Sequence, residues 1–405
     1  MNRITINLEA LYHNIKYIDN MMARRGSVWT LVTKVLCGDS SILEELKNLG
    51  IHSAGDTRLY NLKELKSVHP DCERWYLRVP HPSIVKDVAH LCHVSLNSET
   101  EIIEAINKEA RAHNTKHRII IMIELGDLRE GILPGSLIKF YKRVFTLDHI
   151  EVIGIGSNLG CLSGTVPSLD QLMQLVLYHE LLELKFKRQL PFISAGTSAT
   201  LALLNMQDIP SKINHWRIGE SVFLGTDLIN RGTLSGLRDD VFTLEAEIAE
   251  IKHKSMQPLG EIADVAPFEP HPNEHEISPG QRGRRALITV GELDTDVRGL
   301  IPTNPSCRIV GASSDITVVH FDGENDADIG VGSHLSFKLN YSALLRLMNT
   351  RYVTKHIKPM NSSKFRDRHD VHHSPPNIAR LSPVIKKDPV PQSTPVHSKG
   401  SKKNG

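Results

Sequence analysis

The sequence predicts an α/β chain: a (β/α)₈ TIM barrel followed by a C-terminal antiparallel β-domain. Three observations predict it. Between Ser27 and about Gly225, eight short apolar, β-branched runs alternate with longer amphipathic segments. After Gly225 the texture changes to runs that alternate apolar and polar residues, with Gly, Pro and Asn between them. A doubly wound sheet, the nearest competing fold, more often has five or six strands and a Gly-rich first loop, which this chain lacks.

The eight strand segments are SVWTLVTKV (27–35), IHSAGD (51–56), WYLRVP (75–80), HVSLN (93–97), RIIIMIEL (118–125), IEVIGIGSN (150–158), PFISAG (191–196) and HWRIGE (215–220). Helical patterns such as SSILEELKNLG, SETEIIEAINKEARAH and SLDQLMQLVLYHELLELKF lie between them, several opening on a Ser or Asp cap. VFTLEAEIAEIKH, RRALITVGEL, CRIVGASSDITVVHF and SHLSFKLNY then read as strands of the second domain. The division expected is a barrel over residues 1–228, a β-domain over 229–357 and a tail over 358–405. RITINL (3–8) precedes the barrel and is available to pair with the β-domain.

Composition bounds the setting. The 405 residues hold enough chain for a large core, and 40% hydrophobic with 23% charged is ordinary for a soluble globular protein. No apolar run is long enough to cross a membrane as a helix, and the polar N-terminus lacks a secretory core. Five cysteines without a CxxC pair point to reduced thiols and a cytoplasmic location. From Thr354 onward the net charge is +8, so the overall +2 leaves the first 353 residues at −6. That basic tail, rich in Pro, Ser and Lys, is expected to be a disordered, solvated extension rather than a nucleic-acid contact. The His-rich stretches at 269–276 and 369–373 are expected to be incidental, with no metal site.

In a (β/α)₈ barrel the chemistry sits at the C-terminal strand ends. Those ends carry Lys34, Asp56, Arg78, Asn97, Glu124 with Asp127 and Arg129, Asn158, the run Ser194 to Ser198, and Arg217 with Gly219. The loops after the seventh and eighth strands, SAGTSAT and RIGES, combine small residues, hydroxyls and free N–H groups at a helix start, a composition suited to a phosphate. Lys34 stands in the apolar run LVTKVLCGD, where burial favours the neutral, nucleophilic amine. The alternative is a lysine paired with a carboxylate or snorkelling to the rim. A nucleophilic lysine and a phosphate cradle in one barrel suggest pyridoxal 5′-phosphate (PLP). Arg217 then faces the ring nitrogen of the cofactor, and a guanidinium keeps its proton, which suits proton exchange at an α-carbon.

At this point the chain resembles the fold-type III PLP enzymes of the alanine racemase group, and within them the ornithine/lysine racemase type. The resemblance covers roughly residues 1 to 357, and the stretches that carry it are RITINLEALYHNI, VTKVLCGD, VSLNSETE, IELGDLREGI, GIGSNLGC, INHWRIGESVFLG, GASSD and LNYSALLRLMNTRYV. The resemblance implies that Lys34 forms the Schiff base with PLP and acts as one acid/base. It implies that Arg129 lies near the substrate carboxylate, that Ser198, Gly219 and Glu220 hold the phosphate, the last two through backbone, and that Arg217 meets the pyridine nitrogen. Thr197 and Asn158 complete the cofactor set. Tyr341 resembles an active-site tyrosine supplied by the β-domain. A head-to-tail homodimer with a shared active site is implied.

Three positions depart from the family pattern. Thr197 stands where an asparagine is expected, Ile316 follows GASSD where relatives have histidine, and Gly38 replaces a tyrosine that alanine racemases carry shortly after the lysine. The last argues against alanine as substrate. For the second acid/base, Tyr341, Asp315 and the neighbourhood of Asp294 remain open. The function expected is interconversion of L- and D-amino acids, with a basic one such as ornithine or lysine as substrate. The alternatives are a non-catalytic PLP-binding protein of the same barrel and, further off, a PLP lyase.

Overall fold

In the computed structural model of the chain, the structure describes residues 1–162, 164–205, 209–258, 260–261, 280–322 and 328–360. The basic tail from residue 361 and both His-rich stretches lie outside the described residues. Strand β1 (Arg3–Asn7) comes first. The barrel follows as β2 (Val28–Val32), β3 (Ser53–Asp56), β4 (Glu73–Tyr76), β5 (Val94–Asn97), β6 (His117–Met122), β7 (Ile150–Gly156), β8 (Phe192–Thr197) and β9 (His215–Ile218). These eight are parallel and closed, with β2 pairing β9 as well as β3. Each strand anticipated in this region is present, though all begin or end one to several residues inside the apolar run.

Helix α1 (Leu8–Arg24) leads into the barrel. Each barrel strand is then followed in turn by α2 (Ser40–Asn48), α3 (Leu59–Val68), α4 (Val85–Leu91), α5 (Thr100–Ala112), α6 (Leu137–Val144), α7 (Leu169–Phe186), α8 (Ser198–Leu201) and α9 (Glu220–Leu224). Helix α7 shows how sequence sets these elements. The Ser168 hydroxyl accepts from the Gln171 amide at 3.2 Å while the Gln171 side chain accepts from the Ser168 amide at 2.9 Å, so two otherwise orphaned donors are satisfied. Leu172, Leu175, Val176, His179 and Leu182 then repeat at helical spacing and are buried. Each buried leucine contributes roughly 1.5–3 kcal/mol of transfer free energy.

The second sheet holds β10 (Phe242–Ser255), β11 (Arg282–Ile288), β12 (Leu300–Pro302), β13 (Cys307–Ala312), β14 (Thr317–Phe321), β15 (His334–Leu339) and β16 (Thr354–Lys358). Its path is β12-β15-β10-β11-β14-β13. Strand β1 joins it, antiparallel to β10 and parallel to β16, so the N-terminal strand belongs to this sheet rather than to the barrel. The stretch CRIVGASSDITVVHF, read as one strand, is the hairpin β13–β14, with the turn at SSDI. Strands β12 and β16 were not anticipated. The first is only three residues long, and the second, TKHIK, alternates half-buried with exposed positions and so lacks an apolar face. Helix α10 (Tyr341–Asn349) follows β15 and carries the chain back toward the barrel mouth.

No disulfide joins the five cysteines. Among the described residues no helix is long and apolar enough to cross a membrane.

The barrel interior is polar for a core. Thr30 of β2 bonds Ser53 of β3 at 2.8 Å and His215 of β9 at 3.1 Å; His215 in turn bonds Ser194 of β8 at 2.7 Å and stacks on Trp75 of β4 at 4.4 Å. Burial, with Arg217 nearby, pushes the His215 imidazole down to about 3, and burial pushes His117 down to about 4. Both are neutral in the fold and charge more readily when it opens, so they add stability above pH 6.5 that is lost as pH falls toward about 4 and then 3. In urea unfolding measured against pH these two imidazoles should account for a drop of roughly 2.7 kcal/mol per pH unit in that window, and His117→Asn should lower the measured slope by about 1.4 kcal/mol per pH unit.

Candidate active site

A cavity of about 780 Å³ opens at the C-terminal mouth of the barrel. Lys34, Arg129, Asn158, Ser198, Arg217 and Tyr341 all line it, so the structure collects six of the anticipated site residues around one space. Thr197, Gly219 and Glu220 line it as well.

Lys34 is not inside a strand. β2 ends at Val32, and Lys34 opens a single 3₁₀ turn, Lys34–Leu36, where it is half-buried. Asp56, fully buried at the end of β3, organises that turn. Its carboxylate accepts from Thr33 Oγ1 (3.1 Å), the amides of Thr57 (2.7 Å) and Arg58 (2.9 Å), and Asn61 Nδ2 (3.1 Å). Burial raises the Asp56 carboxyl while these four donors hold it down. Gly38 closes the turn at φ +76°, and a Cβ there would lie 2.9 Å from Asn61 Oδ1. A side chain at Gly38 would have to displace Asn61 and take a backbone conformation that L residues rarely adopt.

Tyr341 is the first residue of α10, whose start is capped by Asn340 accepting from the Ala343 amide at 2.9 Å. Its ring lies 5.5 Å from Lys34 Nζ, within cation–π range. The phenol oxygen is buried without a hydrogen-bond partner among the described residues, and burial, reinforced by Glu220, pushes its pKa upward.

Arg217 is fully buried, and four acceptors hold it. One terminal nitrogen donates to Ser194 O (2.6 Å) and Ser194 Oγ (2.5 Å), the other to Ser157 O (2.8 Å) and Asn158 Oδ1 (2.9 Å). Burial pushes its pKa down to about 10, which leaves it cationic at neutral pH. Asn158 also donates from Nδ2 to Glu130 at 2.6 Å, and Glu130 forms an ion pair with Arg129. A continuous chain therefore runs from Arg129 through Glu130 and Asn158 to Arg217. Glu130 was not singled out from the sequence, although it directly follows Arg129 in GDLREG. Glu124 and Asp127 shape the same loop: Glu124 accepts from the amides of Gly126, Leu128 and Arg129, and Asp127 from those of Cys161 and Leu162.

At the ends of β8 and β9 the Ser198 hydroxyl accepts from the backbone amides of Gly219 and Ser221, each at 3.3 Å. Ser221, buried in α9, was not anticipated. Thr197 ends β8 with its amide on Thr200 Oγ1 at 2.5 Å. Gly219 is required for close approach: a Cβ would stand 2.8 Å from Val32 O and 2.9 Å from Val32 Cβ. Gly219→Ala should therefore push β2 from α9 and weaken PLP binding about tenfold or more, read by titration of PLP absorbance, with β-sheet and helix signals retained.

Glu220 differs from its anticipated role, which used only its backbone. Its side chain lines the cavity, and burial pushes the carboxyl up to about 7 against the opposing charge of Lys34. Asp315 is not brought to the cavity. It is exposed on the β13–β14 turn, where the Ser313 and Ser314 hydroxyls donate to it at 3.3 Å. Ile316 lies on the same turn. Asp294 is buried, accepts from the Gly291 amide at 3.2 Å and does not line the cavity either.

The matching family model is "Alanine racemase, N-terminal domain", over residues 6–227. The chain is 34% identical over 357 residues to an ornithine racemase of Acetoanaerobium sticklandii, covering 88% of this chain and 99% of the relative. It is 32% identical over 361 residues to a lysine racemase of Thermotoga maritima, covering 88% and 98%. This chain belongs to the alanine racemase family.

Its fold agrees with that of family members already solved. Alanine racemase from Corynebacterium glutamicum superposes with a TM-score of 0.66 at 17% identity, covering 88% of this chain and 99% of that one. Alanine racemase from Bartonella henselae with covalently bound pyridoxal phosphate gives 0.63 at 16% identity, with the same coverage. The racemase residues fit PLP. Lys34 offers the amine, and Arg217 keeps its Nε–H unspent on the four acceptors above. Ser198 and Gly219 meet at the cavity at the starts of α8 and α9, with a hydroxyl and a glycine backbone suited to a phosphate.

Proposed function

We propose that the chain is a PLP-dependent racemase that interconverts the L and D forms of a basic amino acid, ornithine or lysine. The observation that carries this reading is the convergence of Lys34, Arg217, Ser198 and Gly219 on one cavity. The two curated relatives act, by their names, on ornithine and lysine, and the crowded, positive-φ backbone at Gly38, which disfavours a tyrosine, agrees with a substrate other than alanine.

PLP, when bound, supplies the electron withdrawal that loosens the substrate α-proton. The chain's residues then have separate tasks. Arg217 remains a cation held by four acceptors, so it can donate a hydrogen bond to a ring nitrogen without transferring its proton. Arg129 spends Nε and one terminal nitrogen on Glu130, which leaves the other terminal nitrogen for the substrate carboxylate. Lys34 Nζ takes and returns the α-proton on one face.

Racemisation requires a second acid/base on the opposite face, because a single group returns the proton to the side it left. Tyr341 is the candidate within this chain, its hydroxyl buried and unpartnered beside the cavity. Asp315, exposed on its turn, reaches a cavity only in a second copy, which is what a head-to-tail homodimer would supply. In this reading residues 1–228 hold the cofactor and residues 229–357 provide Tyr341 and the dimer contact. A cytoplasmic setting agrees with five cysteines and no disulfide.

The test is α-proton exchange. Purified protein with PLP and L-lysine or L-ornithine in heavy water should lose the α-proton NMR signal, and chiral chromatography of the same sample should show the D form. Exchange without the D form would point to a lyase. A bound cofactor with no exchange for any basic amino acid would leave a binding protein.

A further inference from the structure

Away from the cavity, three side chains able to bind a metal converge on the outer ring of the barrel. His90 lies in the last turn of α4, Glu109 lies in the last turn of α5, and His113 caps the end of α5. Glu109 and His113 are four residues apart, so they share a helix face. His90 Nε2 lies 3.0 Å from His113 Nδ1, and one ligand atom from each of the three residues lies within 4.8 Å of the others. The two imidazoles meet edge to face, with centroids 4.1 Å apart. Both histidines are exposed and Glu109 is half-buried, so an ion can reach the cluster from solvent.

We infer that His90, Glu109 and His113 form a zinc site that clamps α4 to α5, with the fourth position taken by water. Two nitrogens of a tetrahedral zinc, each about 2.0–2.1 Å from the ion, stand roughly 3.3 Å apart. The two imidazoles already hold nearly that separation. Without an ion, His113 Nδ1 is shared between His90 Nε2 and the Glu109 carbonyl, each at 3.0 Å. With one, both facing nitrogens give their lone pairs to the metal, and the ring hydrogens sit on the outer nitrogens. Two imidazoles and a carboxylate suit zinc, whereas magnesium and calcium take oxygen ligands.

The surroundings leave the three ligands available. The Glu109 carboxylate makes no hydrogen bond or ion pair among the described residues. Charged neighbours are engaged elsewhere: Arg111 pairs with Asp148 at 3.8 Å, and Asp87 pairs with Lys63 at 3.9 Å. The carbonyl end of α5 adds a field that favours a cation. Helices α4 and α5 end just before β5 and β6, so the cluster sits at the N-terminal ends of the strands, and none of its residues lines the cavity. In a barrel that face serves stability rather than chemistry. His90 and His113 are 23 residues apart in the chain. Unfolding therefore separates the ligands, and zinc stabilises the folded state by the difference in affinity.

The experiment titrates purified full-length protein with Zn²⁺ against a chromophoric chelator and follows its thermal unfolding. His271, His275, His369, His372 and His373 are first replaced by Asn, so that the two His-rich stretches cannot supply the signal. That background protein should still bind one equivalent of Zn²⁺, and excess Zn²⁺ should raise its unfolding midpoint by a few degrees while Mg²⁺ does not. Adding His90→Asn or His113→Asn should weaken binding by at least about tenfold and abolish the shift in midpoint. Glu109→Gln keeps the side-chain shape and should weaken binding in the same direction, which covers the case of a histidine variant that folds poorly. Absence of Zn²⁺ binding by the background protein would overturn the inference. So would affinity and midpoint shift that survive the loss of His90, His113 and Glu109 in turn, since the ion would then be held elsewhere.

Discussion

Lys34→Ala should abolish racemisation, lowering it by at least about 10⁴-fold, and should remove the absorbance of covalently held PLP. Both losses are expected because one amine is asked to do two tasks, holding the cofactor and moving the α-proton. The substitution should barely change stability. Lys34 is half-buried and in a turn fixed by Asp56, so the scaffold around it does not depend on its side chain. Denaturant midpoint and cofactor absorbance measured on the same preparation separate the two effects. A variant that still exchanges the α-proton at more than a few per cent of the wild-type rate would remove Lys34 from its assigned role.

Arg217→Lys should do the reverse, damaging fold and site together. An ammonium cannot reproduce a planar fork that donates to Ser194 O, Ser194 Oγ, Ser157 O and Asn158 Oδ1 at once. Some of these buried acceptors would lose their donor, at a cost of about 3 kcal/mol. Asn158 would also lose the contact that orients it toward Glu130, so the loss should extend to Arg129. The expected result is a clear drop in the urea midpoint, a changed PLP spectrum, and a raised KM for the amino acid. Unaltered stability would mean that the hydrogen-bond chain from Arg217 to Arg129 does not hold the site together.

Most of the fold was legible because barrel strands buried on both faces appear as continuous β-branched runs, as in RIIIMIEL and IEVIGIGSN. The hairpin β13–β14 and strands β12 and β16 were not, since short or half-exposed strands are held by their partners more than by their own residues. Site residues supplied by motifs were legible too: Lys34, Arg129, Asn158, Ser198, Arg217 and Tyr341 line one cavity. Glu130, Ser221 and the Glu220 side chain were not, because their significance comes from contacts across loops after different strands. Asp315 shows the opposite case, a residue on a matching motif that the fold leaves on an exposed turn.

The sequence by itself determined the alternation of strands and helices, the switch to an antiparallel sheet and the chemical types at the strand ends. These are local properties, set by side-chain period and by turn residues. Only the tertiary structure decided that β1 leaves the barrel for the second sheet, that α10 brings Tyr341 over Lys34, and that the Glu220 side chain lines the cavity. The reason is physical: burial, hydrogen-bond commitment and electrostatic pairing depend on residues far apart in the chain, and they exist only once the barrel has closed and the sheet has docked its helix against it.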